Sequence, residues 1–137
     1  MFNVGSLKFK RMSDGRGELT PIESEVDVPF NIRRVYYLTA IDSDVVRGRH
    51  AHRALHQVMI CLNGSIEVTL DNTLERQTVV LDDPTVGLYV GPYVWREMHN
   101  FSADSTLLVL ASDHYDESDY IRGYDVFQSE ARRIFGA

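Results

Sequence analysis

Hydrophobic and polar residues alternate in short segments along most of this chain. Six segments rich in β-branched and aromatic residues are separated by turn-forming residues, and they cover residues 32–40, 58–62, 66–70, 77–81, 86–90 and 106–111. In the third segment, Ile66, Val68 and Leu70 alternate with polar residues, which is typical of a strand with one buried face. This rhythm predicts an all-β, antiparallel sandwich or barrel.

Two glycine-containing turns divide the pattern further. Asn63-Gly64 lies between two apolar segments and predicts a β-hairpin. Residues 14–17, Asp-Gly-Arg-Gly, predict an earlier turn that leaves residues 1–12 as a separate N-terminal strand. A lone strand leaves an unpaired edge, so we expect it to be exchanged between two subunits.

The last twenty residues have a different pattern. After Glu117 the alternation ends, and Phe127, Ala131 and Ile134 follow at helical spacing. We therefore expect a short helical tail. No repeat or linker interrupts the sequence, so residues 1–137 are predicted to form one domain.

Composition and charge argue against several classes of function. The chain has 137 residues, with 20 acidic and 14 basic side chains and a net charge of −6, which argues against a nucleic-acid or anionic-membrane surface. The single cysteine, Cys61, lies in an apolar run, and there is neither a signal peptide nor an apolar run that could span a membrane. These features predict a cytoplasmic protein with no nucleic-acid or membrane partner.

The candidate chemistry is concentrated between Arg47 and Gln57. In a strand, His50 and His52 project from one face, because alternate residues share a face. Neutral imidazole is both a metal ligand and a base that titrates near neutral pH. The pair therefore suits either a metal site or a proton transfer.

Two neighbouring positions bear on that choice. The stretch from Gly48 to Gly64 resembles the first motif of cupins, but Gln57 replaces the motif's glutamate, and Arg96 replaces the histidine of the second motif. A guanidinium has no free lone pair and repels cations, so Arg96 cannot be a ligand. Two histidines are fewer than the three protein ligands of a typical catalytic zinc site. The sequence favours a site without metal, although His56 or His99 as substitute ligands would keep a metal-dependent cupin possible.

Seven segments carry a more specific resemblance. They are residues 34–37, 47–53, 56–57, 61–65, 87–90, 94–95 and 111–122. In these segments the chain resembles the WxcM-like sugar-nucleotide 3,4-ketoisomerases, which are cupin enzymes acting on a 4-keto-6-deoxyhexose linked to thymidine diphosphate (dTDP).

This resemblance implies a fold and a function. The fold is a cupin or jelly-roll β-barrel of antiparallel strands with a short helical C-terminal tail. The reaction converts dTDP-4-keto-6-deoxy-D-glucose into a dTDP-3-keto-6-deoxyhexose by proton transfer, without a cofactor. A homodimer is implied, with the product passed to a PLP-dependent aminotransferase in the synthesis of a 3-amino-3,6-dideoxyhexose for a surface glycan.

The resemblance also implies catalytic roles. His50 is the leading candidate for the base at C3, and His52 is its partner in moving or orienting the proton. Tyr37 polarises the sugar oxygens, with its neighbour Tyr36 as the alternative. An imidazole suits the proton transfer because its pKa lies near the operating pH.

Further residues are expected to contact the substrate. Arg33 and Arg47 are expected to hold the diphosphate, because the planar guanidinium matches phosphate oxygens. Trp95 is a candidate for stacking on thymine or sugar, and His56 for a contact inside the barrel. Arg16 and Arg96, expected at the cavity mouth, are candidates for setting the C4 configuration of the product, without indicating which epimer forms.

Three other functions remain open from the sequence. One is a dTDP-sugar 3,5-epimerase, which also uses histidine and tyrosine without metal. Another is a cupin that binds a nucleotide sugar without catalysis. The third is a metal-dependent dioxygenase.

Overall fold

The structure, a computed structural model, describes residues 1–136. These residues contain twelve strands: β1 (Val4–Lys8), β2 (Met12–Ser13), β3 (Glu18–Leu19), β4 (Arg34–Leu38), β5 (Arg47–His52), β6 (Gln57–Asn63), β7 (Ile66–Asp71), β8 (Arg76–Leu81), β9 (Val86–Val90), β10 (Trp95–His99), β11 (Thr106–Ala111) and β12 (Tyr120–Ile121). A 3₁₀ turn over Glu117–Asp119 precedes β12, and helix α1 spans Tyr124–Phe135.

Ten of the strands form two antiparallel five-stranded sheets. The first has the order β1-β9-β6-β11-β4 and the second β12-β5-β10-β7-β8. The main core lies between them, where side chains such as Met59, Val68, Leu88, Met98 and Val109 are almost fully buried. This arrangement confirms the predicted cupin barrel of antiparallel strands with a helical tail.

The turn at Asn63-Gly64 does not form the predicted hairpin. The strand before it, β6, pairs with β9 and β11, whereas β7 after it pairs with β8 and β10 in the other sheet. The chain therefore crosses from one sheet to the other here. Gly64 has φ +77°, and a Cβ at this position would collide with the Ser102 hydroxyl, so glycine is required by a crossing instead of a two-residue hairpin.

The N-terminal strand pairs within the chain. Val4–Lys8 runs antiparallel to Val86–Val90, so this ladder is complete without a second subunit. The following β2 and β3 form a small hairpin with exposed side chains, turning at the predicted glycine-containing segment. Exchange of residues 1–12 between subunits stays a prediction.

Helix α1 covers the outer face of the second sheet. Its buried residues Phe127 and Ala131 pack against Ala51, Trp95 and Ile121. Within residues 1–136, no helix combines the length and apolar character needed to cross a membrane.

Candidate active site

A cavity of about 550 Å³ opens between β4 of the first sheet and β5 of the second. It is lined by Arg34, Tyr36, Leu38, Val46, Arg47, Gly48, His50, Met98, Tyr115, Tyr120 and Arg122. The lining therefore combines apolar side chains with guanidinium groups, tyrosines and one imidazole. A pocket of this size and mixed polarity suits a small organic ligand with anionic groups.

A bulge in β5 positions His50 at this cavity. Arg96 of β10 lies opposite His50, but the next residue, Glu97, lies opposite Gly48, so Arg49 has no partner in the ladder. Gly48 has φ +90°, and a Cβ there would lie 3.1 Å from the Arg96 carbonyl oxygen. Bulges of this kind redirect neighbouring side chains, which explains why the strand needs a glycine two residues before His50.

The two histidines are held in defined tautomers by their Nδ1 atoms. His50 Nδ1 lies 3.0 Å from the Gly48 carbonyl oxygen, and His52 Nδ1 lies 2.9 Å from Oδ2 of Asp119. Because both partners are acceptors, each Nδ1 carries the proton and each Nε2 keeps its lone pair. The rings meet edge to face with centroids 4.9 Å apart, and His52 lies behind His50, outside the large cavity. The sequence prediction that both project from one face is thus confirmed.

Burial keeps both imidazoles neutral. Burial is the largest cause that lowers the pKa of His50 from its usual 6.5 to about 3, and the positive charge of Arg96 lowers it further. The same two causes, in the same order, lower the pKa of His52. At neutral pH the site therefore presents a neutral His50 with a free Nε2 lone pair, and its pKa lies below the near-neutral value expected from the sequence.

Arg96 and Gln57, the two departures from the cupin metal motif, bond to each other. Arg96 is fully buried, and its Nη1 donates to Oε1 of Gln57. This contact orients the amide so that Gln57 Nε2 donates to the Tyr36 hydroxyl oxygen at 2.9 Å. The Tyr36 hydroxyl is thereby left free to donate its own proton into the cavity.

Three arginines give the cavity its positive charge. The Arg34 guanidinium lies 5.3 Å from the centroid of the Tyr36 ring, and that of Arg122 lies 4.3 Å from the Tyr120 ring centroid. Arg122 also makes two hydrogen bonds to Glu117, which lower the pKa of that carboxyl group to about 2. Arg47 is the third arginine that lines the cavity.

No group of three or more His, Cys, Asp or Glu side chains suited to a metal ion occurs within residues 1–136. The position of the third cupin ligand holds the Arg96 guanidinium, which lacks a lone pair.

A family model matches residues 3–132 of this chain. Its description is WxcM-like, C-terminal (FdtA). The chain belongs to this family. A relative with a named activity adds detail to this match. A TDP-4-oxo-6-deoxy-alpha-D-glucose-3,4-oxoisomerase from Aneurinibacillus thermoaerophilus is 52% identical over 128 residues, which are 93% of this chain and 92% of the relative.

Solved structures of 3,4-ketoisomerases also match this chain. The 3,4-ketoisomerase QdtA from Thermoanaerobacterium thermosaccharolyticum, solved in complex with TDP, is 53% identical, with a TM-score of 0.97 and 98% of both chains covered. The TDP-quinovose 3,4-ketoisomerase WlaRB from Campylobacter jejuni is 43% identical, with a TM-score of 0.91, and 94% of this chain and 99% of WlaRB are covered.

Sugar-nucleotide epimerases match this family member only distantly. The 3'-monoepimerase ChmJ from Streptomyces bikiniensis is 17% identical with a TM-score of 0.74, and 68% of its chain is covered. Such a likeness shows a common fold alone.

The cavity includes three of the residues that the sequence predicted for the site, namely Tyr36, Arg47 and His50. Tyr37, which was preferred over Tyr36, points the other way and is 68% exposed on the outer face of β4. Alternation along the strand directs Arg34, Tyr36 and Leu38 into the cavity instead. The preference for Tyr37 over Tyr36 was therefore wrong, because Tyr36 lines the cavity and Tyr37 does not.

Three further predicted contacts lie outside the cavity. Arg33, which directly precedes β4, is exposed and pairs with Asp113 at 3.6 Å. His56 Nδ1 lies 2.6 Å from the Tyr89 hydroxyl oxygen in another part of the barrel, and Trp95 packs beneath α1. Trp95 projects from the outer face of β10, whereas Arg33 and His56 lie just before β4 and β6, and none of the three lines the cavity.

Neither arginine proposed for the cavity mouth is found there. Arg16 lies in the β2–β3 turn, where its side chain is 88% exposed and pairs with Asp14. Arg96 is buried behind Gln57, so it influences the cavity through that amide and through its charge.

The sequence prediction missed several residues that the structure brings to the site. Arg34, Tyr115, Tyr120 and Arg122 line the cavity, and Asp119 bonds to His52. Four of these five come from the 3₁₀ turn and its flanks. Segment 111–122 contributed to the family resemblance, which was the available signal, but no role was assigned to its residues.

Proposed function

We propose that this chain is a 3,4-ketoisomerase that converts dTDP-4-keto-6-deoxy-D-glucose into a dTDP-3-keto-6-deoxyhexose. One juxtaposition carries the proposal: a neutral histidine base, His50, faces the same arginine-lined cavity as the proton-donating hydroxyl of Tyr36. The activities named for the relatives at 52% and 53% identity support the same reaction.

The proposed chemistry is a proton shift through an enediol. His50 Nε2 takes the proton from C3, and the electron pair of the C3–H bond forms the C3=C4 double bond. The negative charge then develops on the C4 oxygen, where the Tyr36 hydroxyl donates a hydrogen bond. Such a donor stabilises the transition state most in a dry cavity.

The second half restores the ketone on the neighbouring carbon. The hydroxyl on C3 loses its proton as its oxygen becomes a carbonyl, the C4 oxygen gains a proton, and C4 receives a proton from imidazolium. No proton or electron is gained or lost overall, so the reaction needs no redox cofactor. The placement of His52 behind His50 supports His50 as the group at the substrate and His52 as its partner.

The arginines of the cavity are proposed to bind the diphosphate. Arg34, Arg47 and Arg122 gather positive charge in a protein whose net charge is −6. Guanidinium groups bind phosphate oxygens with two parallel hydrogen bonds. The apolar Leu38, Val46 and Met98 are left for the less polar parts of the ligand.

Cellular setting and assembly belong to the same proposal. We infer a cytoplasmic homodimer of single-domain chains, in which the N-terminal segment contributes to the contact, and which delivers its product to a PLP-dependent aminotransferase. The exposed β2–β3 hairpin, with Met12 and Leu19 more than half exposed, supports the contact. Light scattering should give about twice the mass of one 15.7 kDa chain.

The proposed reaction is tested by NMR with dTDP-4-keto-6-deoxyglucose in deuterated water. We expect the carbonyl signal to move from C4 to C3, with deuterium entering at the exchanging carbon. Deuterium at C5 with the carbonyl still at C4 would indicate an epimerase and would contradict the proposal. An unchanged substrate that nevertheless binds tightly would indicate a binding protein.

A further inference from the structure

A second, smaller cavity of about 150 Å³ reaches His52 from the other side. Its inner wall includes the buried His52 and Leu55, and its outer wall includes the exposed Ala54 and His114. It therefore runs from the surface to an imidazole that is 0% exposed. The large cavity and this small one share the side chains of Arg34 and Tyr120, which separate them.

Two buried polar atoms of its lining are without a hydrogen-bond partner among residues 1–136: His52 Nε2 and Arg34 Nε. One is a lone-pair acceptor, because His52 Nδ1 donates to Asp119, and the other is an N–H donor. Buried polar groups nearly always have a partner. A water molecule that accepts from Arg34 and donates to His52 would serve both, and a cavity needs only roughly 10–15 Å³ to hold one.

We propose that the small cavity holds ordered water and is the port through which His52 exchanges protons with the solvent during catalysis. This inference rests on the proposed function. While the sugar nucleotide fills the large cavity, that route to solvent is blocked for His50. In the proposed route the proton passes from His50 to the neighbouring ring of His52, whose centroid lies 4.9 Å away. Its free Nε2 lone pair accepts the proton and releases it to water in the small cavity, because Nδ1 stays bonded to Asp119.

The proposed exchange neither consumes nor releases protons overall. The proton removed from C3 forms an N–H bond on imidazole, and one proton leaves imidazole for C4. In between, the imidazole pair passes a proton to cavity water and takes another back, so solvent hydrogen replaces the original one without net uptake.

The port determines which hydrogen reaches C4. In deuterated water, with ordinary hydrogen at C3 of the substrate, we expect most of the first-formed wild-type product to carry deuterium at C4. Ala54→Leu enlarges a side chain at the rim of the small cavity. We expect this variant to transfer the original hydrogen severalfold more often, measured by NMR or mass spectrometry of the product.

A second variant and a control keep the test specific. Ser112→Thr narrows the same cavity from another wall and keeps the hydroxyl that accepts from the His56 amide. Ala103→Leu adds the same atoms as Ala54→Leu on an exposed loop outside the cavity lining, and its label should equal that of wild type. The proposed port would be wrong if both cavity variants gave the same deuterium content at C4 as wild type. It would also be wrong if the wild-type product carried ordinary hydrogen at C4.

A crystal structure separates this inference from the proposed function. It needs no substrate, and it should show water within hydrogen-bond distance of both Arg34 Nε and His52 Nε2. A small cavity without such water would overturn the port even if the enzyme is active. A wild-type protein that leaves the substrate unchanged would instead overturn the proposed function, and the water site would still be judged by the crystal structure.

Discussion

At the scale of single residues, the contact between His52 and Asp119 governs the state of the imidazole pair. Both carboxylate oxygens act as acceptors, one from His52 Nδ1 at 2.9 Å and the other from the Ala54 amide at 2.8 Å. Asp119→Asn replaces one acceptor with an NH₂ group, which favours the tautomer with a protonated Nε2 on His52. Because that tautomer removes the lone pair, we expect kcat to fall at least about 100-fold, as for other lost acid–base groups.

Steady-state kinetics and calorimetry with TDP check this expectation. The dissociation constant for TDP should stay within a few-fold of wild type, because Asp119 does not line the large cavity. Asp125→Asn, an exposed acid-to-amide change on α1, is the matched control and should be neutral. A wild-type kcat for Asp119→Asn would show that the tautomer of His52 is immaterial.

Gln57 acts through Tyr36. In Gln57→Glu, a carboxylate would accept from Arg96 and also from the Tyr36 hydroxyl, so the tyrosine proton would turn away from the substrate oxygen. Loss of one donor to a developing oxyanion costs roughly 10²–10³ in rate. We therefore expect kcat to drop by about that factor with little change in KM. Gln77→Glu, exposed on β8, is the control, and equal kcat in the two variants would disprove the role of Gln57.

The two tyrosines of β4 show what sequence can determine at this scale. Alternation establishes that Tyr36 and Tyr37 face opposite sides of the sheet. Which side faces the cavity depends on pairing with β11, whose residues lie about 70 positions later in the chain. A strand with an aromatic residue on each face contains no local signal for that choice. The same reason applies to Arg33 and Arg34.

At the scale of elements, most of the longer strands were predictable, whereas β10 and the turn after β6 were not. The six apolar segments correspond to β4, β6, β7, β8, β9 and β11. Strand β10 was not predicted, because Arg96, a charged residue, occupies one of its buried positions and hides the alternation. The turn after β6 was misinterpreted because Asn-Gly serves a crossing between sheets as well as a hairpin.

Helix α1 is predicted to hold the 3₁₀ turn and β12 against the barrel. Phe127 is fully buried against Trp95 and Ile121, and its replacement by alanine leaves a cavity. Phe127→Ala should lower the free energy of unfolding by about 3–5 kcal/mol. Denaturant titration measures this, with the exposed Val126→Ala as control, which should change stability by about 0.5 kcal/mol or less. Equal stability of the two variants would show that α1 does not depend on this packing.

At the scale of the whole molecule, the buried histidines link stability to pH. The pKa values of His50 and His52 are lowered by burial, so the folded protein stays unprotonated where the unfolded chain takes up protons. Their contribution is complete above the unfolded pKa of about 6.5 and is lost as the pH falls. Between pH 7.5 and 5.5, each histidine should lower the free energy of unfolding by about 1 kcal/mol.

Urea titrations at the two pH values test this linkage. The His50→Asn variant has one of the two groups removed and should lose about 1 kcal/mol less than wild type over this range. A pH dependence equal to that of wild type would mean that His50 is not buried as a neutral base in the folded protein.

The charge distribution is also a property of the whole molecule. A net charge of −6 gives no indication of an anion site, yet three arginines from β4, β5 and the end of β12 meet at one cavity. Sequence reasoning identified Arg47, whereas Arg34 and Arg122 depend on tertiary structure. The family resemblance, which extends over most of the chain, anticipated the function better than the individual side chains that perform it.

The most direct test of the account is the activity of His50→Asn with dTDP-4-keto-6-deoxyglucose. Asparagine is polar and uncharged like the neutral imidazole, but it cannot accept the C3 proton as imidazole does. We expect a loss of turnover of at least about 100-fold, with TDP affinity unchanged within a few-fold. Turnover close to wild type in a variant that still binds TDP would contradict it, because the proton would then have another acceptor.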